Sequence, residues 1–357
     1  MRATTTSHER VQNDADDIVL RYRDAERSAK AVRLVADLFK RDRPRAFSRA
    51  AEGWELRIAT PEADRMEYLL EVERRDGSRE LVKNPGAPVA RGPFGPKSVH
   101  ELDGYREPHW LRRHVPAGPL QPLALPSATL RVTVSGLLWS PADAEPTEPL
   151  PLLVVHDGPE YAEYAALARF LDASTNAARI PRLRAALLAP VKRDEHYSAS
   201  ARYSLALRRD LLPLLNELAP TPPGRDHRAG MGASLGALAL LHVHRRHPDG
   251  FGSLFLQSGS FFRRRHDDVE ARFPRFERIV RFVAGMERAG ASGDPIPVAL
   301  TCGSAEENLG SNRAVAASLA AQGYPVTLAE TRDAHNWVSW RDAFDPHLTA
   351  FLARAFG

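Results

Sequence analysis

The residues from Gly232 to Gly236 constrain the fold of this chain more than any other feature. They read Gly-Ala-Ser-Leu-Gly, a match to G-x-S-x-G, with a short apolar run before them and the apolar run 238–243 after them. The order of strand, tight turn and helix is the context of a nucleophile elbow, in which a serine stands at a strained turn above the edge of a sheet. Residues two before and two after that serine must be small so that strand and helix can approach each other. We therefore predict that Ser234 is a nucleophile, with a plain turn as the alternative.

Length and composition indicate a globular protein of about two domains. The chain has 357 residues, more than a single small core accommodates. Its 49 Lys and Arg residues nearly balance 45 Asp and Glu residues, for a net charge of +4, so the composition does not indicate a nucleic-acid partner. The mild basic excess is compatible with an anionic small substrate.

The expected compartment is the cytoplasm. Cys302 is the only cysteine in the sequence, so no disulfide can form within the chain, which fits a reducing compartment. Residues 1–16 are polar and lack the apolar core of a signal peptide. No apolar run reaches the ~18 residues of a membrane span, so we expect no membrane partner.

The hydrophobic pattern of the first third of the chain predicts a small β domain. Residues 1–16 are expected to be a disordered tail. Residues 17–120 contain short stretches of alternating apolar and polar side chains separated by polar turns, which predicts a β-sandwich. A Pro- and Gly-rich strap over 84–111 follows the predicted strands.

The pattern changes in residues 121–357, where predicted strands alternate with predicted helices. That alternation predicts a parallel sheet with helices on both faces, an α/β fold. The proline-rich run 116–126 is the predicted domain boundary. Strands over 129–134 and 137–139 are predicted to pair with each other as they enter the larger sheet.

Polar residues follow the predicted strands of this second part, at the sheet edge where catalytic groups of such folds lie. Serine is a poor nucleophile at neutral pH and needs a base within hydrogen-bond reach. His335 follows the last predicted strand and is the predicted base. The chain order serine, acid, histidine of the hydrolase fold leaves Glu306, Glu307 and, less favoured, Asp333 as the acid. We choose Glu306, which is nearest to the end of its strand, with Glu307 as the close alternative.

Two main-chain amides are the predicted oxyanion hole. One is the amide of Leu235, directly after the nucleophile, and the other is that of Gly158, in the loop after the first central strand. His156, just before that loop, is expected to have a structural role, with a position in the wall of the site as the alternative. No cofactor or metal site is expected, because the histidines after the elbow do not have the spacing of a zinc site: His242, His244 and His247.

Several segments carry a resemblance to a known family. They are GASLGALALLHVHRRHPDGFGSLFLQSGSFF around the elbow, the loops VVHDGPEY and RDEHYSASARYSLALRRDLLPLL, and the segments CGSAEEN and AHNWVSWRDAF. In these the chain resembles the enterochelin (enterobactin) esterases of the α/β-hydrolase superfamily. The family often has glycine where Ala237 and Ala334 stand here. The strap NPGAPVARGPFGPKSVHEL is similar to the one that ends the family's N-terminal immunoglobulin-like domain, so the resemblance implies such a domain for residues 17–120.

The resemblance implies a serine esterase that hydrolyses the ester bonds of a catecholate siderophore, an enterobactin-like trilactone, often as its ferric complex. A ferric tris-catecholate is anionic, so arginines on loops at the site edge would complement it. A solvated basic loop is the alternative for the arginine run 263–265. The residues expected to bind substrate are the following: Arg193, Phe261, Arg263, Arg264 and Trp337.

Other functions remain compatible with the sequence. A general carboxylesterase, a feruloyl-type esterase and an acyltransferase share the fold, and a non-catalytic binding scaffold is the alternative from another class. The N-terminal domain is expected to shape the substrate cleft or to contribute to a homodimer.

Overall fold

The computed structural model describes residues 17–39, 45–264, 270–291 and 294–357. The expected disordered tail, residues 1–16, lies outside the described residues. The chain divides into two compact units: Met1–Ala90 with Pro96–Leu102, and Arg91–Gly95 with Asp103–Gly357.

The first unit is built from antiparallel strands in two sheets. Alternating burial along the strands directs one face of each sheet into a shared hydrophobic core, to which Leu20 and Trp54 contribute from one sheet and Val32 and Leu70 from the other. In the described part of the unit the sheet orders are β1-β5-β4 and β3-β2-β6-β9-β8, with β7 paired to β6. The strands are β1 (Asp17–Arg23), β2 (Ala29–Ala36), β3 (Arg45–Ala46), β4 (Ser48–Ala50), β5 (Gly53–Ala59), β6 (Arg65–Arg74), β7 (Arg79–Val82), β8 (Val89–Ala90) and β9 (Lys97–Glu101).

The second unit is organised on a mixed sheet. In the residues that the structure describes, its order is β10-β11-β13-β12-β14-β15-β16-β17. Strand β11 pairs antiparallel with β10 on one side and with β13 on the other, and the strands from β13 to β17 pair parallel with one another. The carboxyl ends of the parallel strands therefore meet at one edge of the sheet. The strands are β10 (Leu120–Ser127), β11 (Val132–Trp139), β12 (Leu152–His156), β13 (Arg184–Leu188), β14 (Arg228–Ala233), β15 (Ser253–Gln257), β16 (Val298–Gly303) and β17 (Val326–Thr331).

Helices cover both faces of this sheet, as strand β12 shows. Leu152 and Val154 belong to one hydrophobic core, whereas Leu153 and Val155 belong to a second core on the opposite face. The α/β class predicted from the sequence is confirmed. The helices are α1 (Gly158–Tyr164), α2 (Leu167–Asn176), α3 (Arg193–His196), α4 (Ala201–Ala206), α5 (Leu212–Leu218), α6 (Leu235–Arg246), α7 (Phe276–Glu287), α8 (Leu309–Ala321), α9 (Trp337–Asp342) and α10 (Thr349–Phe356). Among the described residues, no helix has the length and apolar character that crossing a membrane requires.

The predicted pairing of 129–134 with 137–139 is wrong. Strand β11 runs without interruption from 132 to 139, so 132–134 and 137–139 lie in one strand. Its antiparallel partners are β13 and β10, and β10 lies largely within the proline-rich run predicted to be the domain boundary. β10 is an edge strand of the sheet, where a residue without an N–H is tolerated, so Pro122 and Pro126 do not interrupt a central ladder.

The division between the units also differs from the boundary expected near residue 120. Residues 103–120 and the short segment 91–95 belong to the second unit. Trp110 shows why, because its buried ring packs 5.4 Å from that of Phe170 and 6.2 Å from that of Phe344, within a core of the second unit.

Candidate active site

Ser234 stands between β14 and α6 in the strained conformation of a nucleophile elbow. Its φ is 55° and its ψ is −123°, a combination that few non-glycine residues adopt. A Cβ atom at Gly232 would lie 2.8 Å from the carbonyl carbon of Gly236, closer than real Cβ contacts. The absence of a side chain at Gly232 thus lets strand and helix approach as closely as the turn requires.

The structure brings His335 and Glu306 together. His335 Nδ1 lies 2.8 Å from Glu306 Oε2. Because a carboxylate can only accept, Nδ1 carries the proton and Nε2 is the basic nitrogen of the neutral ring. The Glu306 side chain is 1% exposed and that of His335 38% exposed, so a buried acid holds a histidine that remains accessible.

The other two candidate acids lie elsewhere on these loops. Glu307 is exposed to solvent. Asp333 is buried, and its Oδ1 accepts hydrogen bonds from the amide of Ala334 at 2.7 Å and from Asn336 Nδ2 at 3.0 Å. Asp333 thus helps to order the loop that carries His335, and Glu306 accepts the hydrogen bond from His335 Nδ1.

Three donors orient the Glu306 carboxylate and its neighbour Ser258. Glu306 Oε1 accepts from Ser258 Oγ at 2.6 Å and from the Gly303 amide at 2.7 Å. Trp340 Nε1 donates in turn to Ser258 Oγ at 2.9 Å. A Cβ at Gly303 would lie 2.9 Å from Glu306 Oε1, so glycine is required where the carboxylate turns back onto its own strand. This network engages Oε1, while Oε2 accepts from His335 Nδ1.

The turn 258–260 connects the Glu306 carboxylate to the Ser234 hydroxyl, and no catalytic role was expected for it from the sequence. Ser258, with φ of 48°, binds Glu306 as described. Two residues later, Ser260 Oγ lies 3.0 Å from Ser234 Oγ, and the Ser260 amide donates to the Ser234 carbonyl at 3.1 Å. In the sequence, the serine-glycine-serine run directly after β15 could have indicated that this turn contacts the site.

The two predicted oxyanion donors occupy equivalent positions in two helices. Leu235 is the first residue of α6 and Gly158 the first residue of α1. Amides in the first turn of a helix have no acceptor within the helix, so they are available to an anion. A Cβ at Gly158 would lie 2.3 Å from the backbone of Leu187, so glycine here lets α1 begin directly against β13.

Arg193, expected to bind substrate, is paired with a protein carboxylate. Its Nε and Nη2 donate to Asp157 Oδ1 at 2.9 Å and Oδ2 at 2.8 Å. The Asp157 side chain is only 3% exposed, and its backbone has φ of 52°. The guanidinium thus stabilises the loop that ends in Gly158.

Three other expected substrate contacts have different surroundings from those predicted. Arg263 pairs with Glu287 and Arg264 with Glu277, both on α7, while Arg265 lies outside the described residues. Phe261 is fully buried in a hydrophobic core, which leaves its ring no surface for a ligand. The ring folds back beneath its own turn, so that a Cβ at Gly259 would lie 2.2 Å from it.

Trp337 forms an aromatic wall next to the loop of His335. Its half-buried ring packs edge-to-face on Tyr161 at 5.2 Å and on Trp340 at 4.8 Å. Segment 91–95 approaches the same side chain, since a Cβ at Gly92 would lie 3.8 Å from Trp337 Cδ1. Trp337 therefore keeps part of its surface accessible two residues after His335 in the chain.

The histidines of α6 are core residues. His242 Nδ1 lies 2.7 Å from Ser204 Oγ, and His244 Nε2 lies 3.1 Å from the hydroxyl of Tyr324. Burial lowers the pKa of His242 and of His244 to about 4, so both are neutral at physiological pH. No group of three or more potential metal ligands occurs among the described residues.

The part of the chain that carries this site also matches a known protein family. The family model of the Esterase family matches residues 127–351, which include the elbow, Glu306 and His335. The chain belongs to the Esterase family.

Individual curated proteins are also similar to this chain. The iron(III) enterobactin esterase of Dickeya dadantii is 26% identical over 263 residues, which cover 64% of this chain and 58% of that protein. The chain spans about half the length of the curated relatives that it matches. These relatives confirm the resemblance to the enterochelin (enterobactin) esterases inferred from the sequence.

Solved structures show the same fold. The enterobactin esterase from Shigella flexneri, crystallised in the presence of enterobactin, superposes with a TM-score of 0.74 at 20% identity and covers 95% of this chain and 92% of that chain. The ferric enterobactin esterase from Salmonella typhimurium superposes with a TM-score of 0.76 at 18% identity and covers 93% of this chain and 92% of that chain.

Proposed function

We propose that the protein is a serine esterase with Ser234 as nucleophile, His335 as general base and acid, and Glu306 as the orienting acid. The observation that carries the proposal is the 2.8 Å hydrogen bond between His335 Nδ1 and the buried Glu306, at the sheet edge where the elbow serine stands. In the first half-reaction Ser234 Oγ attacks the ester carbonyl carbon and its proton passes to His335 Nε2. The amides of Leu235 and Gly158 donate to the resulting oxyanion.

Departure of the alcohol completes the first half-reaction, and the second half-reaction then regenerates the enzyme. The tetrahedral intermediate collapses, the ester C–O bond breaks, and His335 gives its proton to the departing alcohol. Water then attacks the acyl-enzyme with His335 as base, and the acid is released while Ser234 recovers its proton. Glu306 stays ionised throughout and stabilises the imidazolium that forms in each half.

The proposed substrate is a catecholate siderophore of the enterobactin type, a trilactone with or without bound iron. The support comes from the relatives, whose names and crystallised complexes refer to enterobactin. The arginines expected to attract an anionic substrate add little, because Arg193, Arg263 and Arg264 are each paired with a carboxylate.

A substrate panel tests this proposal. We expect enterobactin or its ferric complex to be hydrolysed to dihydroxybenzoylserine species with kcat/KM at least ~100-fold above that for methyl ferulate and p-nitrophenyl butyrate, because remote binding energy raises transition-state stabilisation. Mass spectrometry of the products and initial rates measure this. Equal or faster turnover of the simple esters would reject the siderophore assignment and leave a general esterase.

The remaining expectations about the protein are also proposals. The two antiparallel sheets of the first unit, which share one core, support an immunoglobulin-like sandwich. Cytoplasmic location, a homodimer and the shaping of the substrate cleft by the first unit rest on the sequence and the resemblance. Multi-angle light scattering of the full chain measures the oligomeric state directly.

Removal of the Ser258 hydroxyl is expected to weaken catalysis without abolishing it. In Ser258→Ala the Glu306 carboxylate loses a charge-assisted hydrogen bond worth about 1.5–3 kcal/mol, so we expect kcat to fall roughly 10- to 100-fold with little change in KM. Ser48→Ala, which removes an exposed hydroxyl on β4 of the first unit, is the control and should keep full activity. An unchanged kcat in Ser258→Ala would show that the Gly303 amide alone holds the acid.

A further inference from the structure

His156 connects the two segments that carry the proposed oxyanion donors. It is the last residue of β12, directly before Asp157 and Gly158, and its side chain is fully buried. Its Nδ1 lies 3.1 Å from the carbonyl oxygen of Gly236, which follows Leu235 in the first turn of α6. The imidazole of His156 therefore connects the end of β12, directly before α1, to the first turn of α6.

The contacts define which nitrogen of His156 carries the proton. The carbonyl oxygen of Gly236 can only accept, so Nδ1 is protonated and donates. Nε2 lies 2.9 Å from the hydroxyl of Tyr203, which donates because an unprotonated ring nitrogen only accepts. Burial lowers the pKa of His156 to about 4, so the ring stays neutral at physiological pH and keeps both bonds.

Close packing fixes the same two segments against each other. Tyr197 stacks on the imidazole with ring centroids 4.5 Å apart and planes 18° apart. A Cβ at Gly236 would lie 3.1 Å from the Cβ of His156 and 3.3 Å from Asp157 Oδ2. The backbone of α6 thus lies directly on residues 156 and 157, and a shift between them would break the hydrogen bond.

We propose that His156 is a positioning residue that sets the separation of the Leu235 and Gly158 amides, so that the oxyanion hole is formed before substrate binds. This inference rests on the proposed function. Donors stabilise a developing oxyanion most when they already point at the place where the charge appears, because no reorganisation is then needed during the reaction. The His156 ring is rigid, and its donor and its acceptor are a fixed distance apart. It can therefore hold the segment of Gly158 and the segment of Leu235, which are distant in sequence, at a fixed separation.

Two substitutions at His156 separate its two hydrogen bonds. In His156→Asn the amide nitrogen can take the place of Nδ1 and donate to Gly236. In His156→Gln the amide nitrogen falls near the place of Nε2, so the carbonyl of Gly236 loses its donor. With p-nitrophenyl butyrate we expect kcat to fall about 10- to 100-fold in His156→Gln with KM within threefold, and to stay within about fivefold of wild type in His156→Asn.

A second readout distinguishes positioning from a structural role. A trifluoromethyl ketone forms a tetrahedral adduct with the nucleophile and places an oxyanion in the hole, so its affinity reports on the two amides while KM does not. We expect the affinity for this inhibitor to fall in His156→Gln by the same factor as kcat/KM. A thermal unfolding curve of each variant shows whether the protein is folded at the assay temperature, so that a loss of activity is not mistaken for a loss of folded protein.

The outcomes separate this inference from the proposed function. A folded His156→Gln that keeps kcat and inhibitor affinity within twofold overturns the positioning role. If His156→Gln does not fold, Tyr203→Phe carries the test, because it frees the other end of the ring; we expect a three- to tenfold loss in kcat and inhibitor affinity, and no loss overturns the proposal. Full activity in Ser234→Ala would instead overturn the proposed function itself.

Discussion

Ser234→Ala is expected to lower kcat/KM for p-nitrophenyl butyrate by at least about 10³-fold, because removal of a triad nucleophile leaves only binding and oxyanion stabilisation. The same variant should lose all labelling by a fluorophosphonate probe, which reacts with an activated serine hydroxyl. The strained φ of Ser234 does not depend on its hydroxyl, so the fold should tolerate alanine as well as serine.

Ser48→Ala is the control for this experiment, since it removes an exposed hydroxyl on β4 of the first unit, outside the proposed machinery. It should keep wild-type rates and wild-type labelling. Undiminished turnover in Ser234→Ala would reject the nucleophile assignment, and a wild-type protein that the probe never labels would favour a non-catalytic binding scaffold.

Glu306→Gln is expected to lower kcat by about 10³- to 10⁴-fold with a small change in KM. The Gly303 amide can only donate, so it selects the carbonyl oxygen of the new amide at the position of Oε1. The NH2 group then faces His335 Nδ1, which must give up its proton and accept. The histidine is left protonated at Nε2, the tautomer that cannot take a proton from Ser234.

Glu307→Gln makes the same chemical change on the neighbouring, exposed residue and serves as the control. Its kcat should stay within twofold of wild type. Initial rates of both variants under the same conditions decide the assignment of the acid. A loss confined to Glu307→Gln would move the acid to that residue.

The elbow was predictable because its constraint is local. Small residues at 232 and 236 are needed wherever a strand, a tight turn and a helix meet, and the structure gives the reason in the close approach of Gly232 to Gly236. The segment that carries Glu306, the proposed acid, followed from chain order. The choice between Glu306 and Glu307 depended on which of two adjacent side chains the loop directs inward, and only the three-dimensional structure shows this.

Side-chain partners within loops were not predictable in the same way. Nothing in the local sequence of Arg193 indicates that Asp157, 36 positions earlier, lies beside it. Phe261 follows a polar turn, and only the path of the backbone directs its ring into the core. The prolines of β10 led to the prediction of a domain boundary. They are tolerated in this strand because the sheet order places β10 at an edge, and the local sequence does not show that order.

The path of the chain near residue 90 limits how the protein can be dissected. The polypeptide leaves the first unit after Ala90, contributes Arg91–Gly95 to the second, and returns at Pro96. No single cut therefore yields both units intact. A truncation that begins at Asp103 would also strip Gly92 from the neighbourhood of Trp337, so a loss of activity in such a fragment would not measure the contribution of the β unit alone.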